Sequence, residues 1–154
     1  MASYGSWPPP VRTMATAIED ALRAAAAGQE EAFDAALAAL GRVDREPLAV
    51  VLGEVARELL ERSYPDGLDA GDAEQLLTRI PARFNWYARF EADALLQAVT
   101  GTLGVSLPED ETPLPAAVPH GLLLIADLLA ADPPAPVLEA ALRELQRQQT
   151  VELP

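Results

Sequence analysis

Leu48-Ala49-Val50-Val51-Leu52-Gly53-Glu54-Val55-Ala56-Arg57-Glu58-Leu59-Leu60 is the stretch that decides the fold of this 154-residue chain. Leu48, Val51, Leu52, Val55, Ala56 and Leu59 recur every three or four residues, which places them on one stripe of an α-helix. Asp44 stands where an N-cap would, with Glu46 and Pro47 in the first turn. On the outer face Glu54 precedes Arg57 and Glu58 precedes Arg62, spacings at which opposite charges meet along a helix. The turn Tyr64-Pro65-Asp66-Gly67 ends the element.

A second segment, from Pro119 to Leu129, is apolar nearly all round, with Leu122, Leu123, Leu124, Ile125, Leu128 and Leu129 against the single charge of Asp127. A helix of that kind belongs in the middle of a bundle. Pro119 reads as its opening residue. Pro133, Pro134 and Pro136 stop it and start a last helix striped by Leu138, Ala141, Leu142 and Leu145.

Working outward, Thr13 or Thr16 caps a first helix that carries Met14, Ile18, Leu22 and Ala25 and stops at Gly28. A short second helix turns Phe33, Ala36, Leu37 and Leu40 inward and stops at Gly41. Asp69 caps a helix facing in through Ala73, Leu76, Leu77 and Ile80, interrupted at Pro81. Phe84 to Gly101 reads as one long helix with Asn85 as its candidate cap. Val105 to Pro119, with four prolines and the acidic run Glu109 to Glu111, is the longest loop. No segment alternates apolar and polar residues with period two, so no sheet is expected.

The expected fold is therefore all-α. It is a single compact bundle of six or seven helices over residues 13–150, behind a flexible proline-containing tail, residues 1–12. In that tail Trp7 leads Pro8, Pro9 and Pro10 into a short polyproline II stretch. Leu52, Val55, Leu59, Ile125 and Leu129 should be core. An internal echo relates Asp34–Gly41 to Asp93–Gly101, Val55-Ala56 with Leu59 to Ile125-Ala126 with Leu129, and Leu76–Arg79 more poorly to Leu142–Leu145. A duplicated three-helix unit would set the two best apolar helices side by side.

Composition narrows the chemistry. The chain has no lysine and no cysteine, one histidine (His120), 11 arginines and 24 acidic residues, for a net charge of −13. Thiolate metal sites, cysteine nucleophiles and Schiff-base lysines are excluded. The scarcity of Lys, Asn and Ile points to a GC-rich coding sequence. The charge repels nucleic acid and anionic membranes, and the longest apolar run falls short of the roughly 20 residues a bilayer span needs. No secretion signal is seen at the start of the sequence, and the cytoplasm is the expected compartment.

No catalytic motif emerges. Ser3, Ser6, Ser63 and Ser106 lie outside any Gly-x-Ser-x-Gly elbow, and His120 reads as a first-turn surface histidine. Asp66, Asp69, Asp72 and Glu74 crowd one turn without calcium-loop spacing, so Asp69 is read as a cap. Neither a metal nor a cofactor is expected.

One segment stands out. Arg79 to Phe90 contains Arg79, Arg83 and Arg89 and no acidic residue, a local charge of +3 that leaves −16 for the rest. It also holds Phe84, Trp86, Tyr87 and Phe90, half of the eight aromatics. On a helix, Phe84 and Tyr87 share the face of Leu95 and Val99, while Trp86 and Phe90 fall nearer Asp93 and Gln97. Either neighbours enclose this second pair in an aromatic core cluster with snorkelling arginines, or the pair is partly exposed. Exposed Trp, Phe and Arg have the composition of a binding hot spot.

Arg79, Arg83, Trp86, Arg89 and Phe90 are thus the expected partner-binding residues. The functional expectation is a non-enzymatic protein acting by macromolecular interaction (a regulator, an adaptor or an acidic inhibitor of the immunity type), on a protein partner or by self-association. The alternative is a small-molecule binder, or an enzyme working with carboxylates and arginines, with its site in an interhelical cavity. A deep pocket lined by convergent polar groups favours the alternative; a flat apolar patch around Trp86 favours interaction.

Overall fold

Seven helices make up most of residues 5, 7–102 and 114–152, which the computed structural model describes (backbone alone at 102, 114–117 and 150–152). They are α1 (Pro9–Ala27), α2 (Glu30–Leu40), α3 (Arg45–Ser63), α4 (Ala70–Arg83), α5 (Ala92–Thr102), α6 (Leu114–Leu129) and α7 (Ala135–Glu152). No strand occurs among the described residues, and none of their helices is long and apolar enough to cross a membrane. The protein is an all-α bundle.

α6 occupies the middle because it has no polar face to give to water. It packs on α1, α3 and α5 and touches α4, and Leu122 through Ile125 are completely buried. The stripe of α3 meets it: Leu48, Val51, Leu52, Val55, Ala56 and Leu59 are all buried. The five expected core residues are at most 8% exposed. On the outer face of α3 the Arg57–Glu54 and Arg62–Glu58 pairs form at 2.5 and 2.8 Å.

α1 and α2 form a hairpin whose close approach rests on alanine. Ala15, Ala17, Ala21, Ala24 and Ala25 of α1 and Ala36 of α2 are buried, and small side chains let helix axes come together. The hairpin turns at Gly28, which has φ 69° and sends its N–H back toward the last carbonyls of α1. A glycine suits this position because the left-handed backbone disfavours a side chain; the Trp86 ring, 3.7 Å from where a Cβ would stand, would meet one in ordinary van der Waals contact.

Several element boundaries differ from the sequence reading. α1 begins at Pro9, not at Thr13 or Thr16. Pro9 and Pro10 occupy the first helical positions, where a missing N–H costs nothing. Trp7 packs against the core. α4 runs through Pro81 and ends two residues later, and α6 starts at Leu114, so that Pro119 lies inside the helix. Of the expected loop Val105 to Pro119, residues 105–113, with the acidic run Glu109 to Glu111, lie outside the described residues.

The largest correction concerns Phe84 to Gly101: residues 84–91 are not helical, and only Ala92 onward forms α5. The internal echo also has a limited structural counterpart. α3 and α6 do lie side by side, but α5 packs on α6 whereas its counterpart α2 packs on α1 rather than on α3.

Candidate functional site

The non-helical turn from Phe84 to Glu91 is where the aromatic side chains collect. Its backbone is held by other elements. The Phe84 N–H still donates to the Ile80 carbonyl at 2.9 Å, and the Tyr87 N–H to the Phe84 carbonyl at 3.0 Å. After that the ladder stops. The Ala88 N–H donates to Glu30 Oε2 of α2 at 3.3 Å, and the Glu91 N–H to His120 Nε2 of α6 at 2.8 Å. A backbone donor near the core must find an acceptor. Here side chains from two neighbouring helices supply what a continuous helix would have supplied itself.

This arrangement lets the turn aim its rings independently. Phe84 and Tyr87 are 2% and 5% exposed, while Trp86 and Phe90 are half-buried. That is the division expected from helical spacing, produced instead by a turn. Phe33 of α2 is the hub, with its ring edge-on to Trp86 at 5.4 Å and to Tyr87 at 5.6 Å. Such T-shaped contacts add to the burial energy of the rings. His120 closes the cluster, 6.0 Å from the Tyr87 ring and 5.3 Å from Phe90. It is 1% exposed, so it is not the surface residue the sequence suggested. Accepting the Glu91 N–H leaves its Nε2 without a proton.

The arginines of the segment divide by partner. Arg79 Nε and Nη2 grip the Asp127 carboxylate at 2.5 to 3.2 Å, and Arg83 Nη1 reaches Asp127 Oδ1 at 3.1 Å and its carbonyl at 3.2 Å. The Asp127 side chain is 1% exposed. Its hydrogen bond to Arg79 holds the guanidinium proton more firmly than usual. Arg79 and Arg83 sit one turn apart on α4 and together clamp it to α6. Arg83 also lies over the Phe84 ring. Arg89 pairs with Asp34 of α2 and stacks over Tyr87 at 5.4 Å. Of the expected partner-binding residues, Trp86, Arg89 and Phe90 remain toward the outside, while Arg79 and Arg83 are occupied with Asp127.

Beside the turn opens a cleft of about 780 Å³. Its apolar wall comes from Leu37 and Leu40 of α2, Val43 of the following loop, and Leu48 of α3. Its polar wall comes from Asp34, Tyr87, Arg89, Glu91, His120 and Arg45. Asp34 and Arg89 neutralise each other, and His120 is held by the Glu91 backbone. Arg45 and the Glu91 carboxylate have no ion-pair partner among the described residues. Burial raises the pKa of the Tyr87 phenol, against the opposing pull of Arg89.

The acidic turn before α4 is a capping box. Asp69 Oδ1 accepts from the Asp72 N–H at 2.7 Å, and Asp72 Oδ2 accepts from the Asp69 N–H at 3.1 Å. Among the described residues no group of three or more His, Cys, Asp or Glu side chains is placed to hold a metal ion.

Sequence reasoning missed the roles of Asp127, Asp34, Glu30 and His120. Asp127 did carry a signal, as the only charge in an otherwise apolar helix. The others look like ordinary surface residues until the helices are packed. No protein-family model, curated protein or solved structure matches this chain.

Proposed function

We propose that this protein is a non-enzymatic helical binding protein that holds a small amphipathic molecule in the cleft between α2, the start of α3, the aromatic turn and α6. One observation carries the reading: an apolar wall and several convergent polar groups share one concave space of about 780 Å³. That volume and lining are typical of sites for drug-sized ligands. Binding suits the wall better than covalent chemistry. Among the described residues it contains no serine, threonine or cysteine, and its imidazole accepts a backbone N–H at Nε2. The proposal takes the cytoplasm as the compartment.

The test is a neutral apolar dye, Nile red. Its fluorescence should rise on adding the folded protein and stay low with Ala38→Trp, which places an indole in the cleft from an exposed position on α2. Equal dye binding by both proteins, at equal melting temperature, would remove the cleft from consideration, as would no binding by the unmodified chain.

A second reading keeps a protein partner, or a second copy of the chain, docked on Trp86, Arg89 and Phe90. Its support is the half-buried pair of rings flanking an Arg89 side chain that is 64% exposed. The apolar surface there is small, since Leu96 is the exposed large hydrophobic among the described residues. Arg89→Glu should then release whatever co-purifies with the protein, or halve its mass in solution if the partner is a second copy. An unchanged mass and an unchanged set of co-purifying proteins would rule this surface out.

A further inference from the structure

The charges around the cleft go further than its shape. The protein as a whole carries −13, a field that repels anions approaching from solvent. The described residues of the cleft wall do not share this imbalance: they include two arginines, Arg45 and Arg89, and two carboxylates, Asp34 and Glu91. Arg89 and Asp34 close on each other. That leaves one cation, Arg45, and one anion, Glu91, lining the same space with no ion-pair partner among the described residues, and Leu37, Leu40, Val43 and Leu48 beside them. A purely anionic ligand would satisfy Arg45 but face Glu91 and the net charge. A purely cationic one would satisfy Glu91 but face Arg45. An uncharged one can lie on the apolar wall but brings neither group an opposite charge, so it binds on that wall alone.

We infer that the cleft takes a zwitterion with an apolar body: an apolar amino acid or short apolar peptide whose carboxylate meets Arg45, whose ammonium meets Glu91, and whose side chain lies on the leucine and valine wall. Such a ligand is electrically neutral overall, so the protein's field does not oppose its entry. It supplies an opposite charge to each unpaired group, and charge-assisted contacts of this kind are the stronger class of hydrogen bond. The cleft is roomy for a single amino acid, and a dipeptide would fill more of it.

The inference rests on the cleft being a ligand site, and the experiment separates the two. Isothermal titration of the full chain compares phenylalanine with phenethylamine, which lacks the carboxylate, and hydrocinnamate, which lacks the ammonium. Leucyl-phenylalanine is the longer zwitterion. A zwitterion should bind about tenfold or more tightly than either truncated analogue, the order expected for losing one hydrogen-bonded charge contact. The tighter of phenylalanine and leucyl-phenylalanine identifies the source. Arg45→Gln should bring the zwitterion down to the affinity of phenethylamine, and Glu91→Gln to that of hydrocinnamate. Nile red binding with equal affinities across the matched series, or with no binding of any member, overturns the zwitterion while the ligand site stands. Absence of Nile red binding as well overturns both.

Discussion

At the junction of α4 and α6 two arginines close on one carboxylate that is 1% exposed; along the cleft wall Arg45 and Glu91 line one space and pair with nothing described. The charged groups are the same, guanidinium and carboxylate, but their physical positions are opposite. Asp127 is surrounded by packed helices, so its charge must be met within the protein, and Arg79 and Arg83 meet it while keeping their own heads near water. Arg45 and Glu91 stay in water, so folding demands nothing of them. A buried charge reports on how the chain is assembled, and an unpaired charge at the edge of a cleft reports on what the chain could bind. The difference should be measurable as stability in one place and as affinity in the other.

The largest effect is expected at the junction. Arg79→Ala with Arg83→Ala leaves Asp127 buried and unpaired, and should cost about 3–5 kcal/mol in urea unfolding. Adding Asp127→Leu should restore most of that loss, because the penalty comes from the orphaned carboxylate and not from the missing arginines. If the double variant loses under about 1 kcal/mol, the junction is no more structural than a surface ion pair and the contrast disappears.

His120 lies between the two regimes, since it lines the cleft but also holds the turn. His120→Leu keeps an apolar body yet leaves the Glu91 N–H without its acceptor, which should cost about 1–3 kcal/mol. Hydrogen exchange should show the Glu91 amide losing protection more than its neighbours. Uniform exchange along residues 84–91 would mean that the turn does not depend on this bond.

For the cleft charges, Arg45→Gln and Glu91→Gln should each shift unfolding free energy by no more than about 0.5 kcal/mol, as for surface residues without partners. A larger loss from either would place it with Asp127 and against a binding role. The smallest effect concerns alkaline pH. Burial raises the Tyr87 phenol above its ordinary value, so the unfolded chain gives up this proton first. The associated stability is present below about pH 10 and is lost as pH rises through the folded-state value. Tyr87→Phe should flatten that alkaline decline when melting temperatures are followed with pH.

Much of the fold was legible because helices are written in short-range spacing. Leu48 through Leu59 marked their own stripe, Asp69 its own cap, and the apolar girdle of Leu122 through Leu129 its central place. The reading failed at residues 84–91, where spacing and aromatic content suit a helix well enough. Nothing local says that Glu30 and His120 will take the amides of Ala88 and Glu91. Arg79, Arg83 and Arg89 likewise look alike along the chain, and only their partners separate two clamp residues from one that lies over Tyr87 at the edge of the cleft.

The sequence by itself determined that this chain is all-α, which stripes go inside and which helix lies at the centre. The forces responsible, backbone bonds to the fourth residue and side chains one turn apart, act within a few positions. Tertiary structure alone decided the aromatic turn, the double-arginine clamp and the cleft. Each depends on partners 29 to 58 residues apart in the chain, and a hydrogen bond or ion pair over that distance exists only once the packing of apolar faces has brought its two ends together.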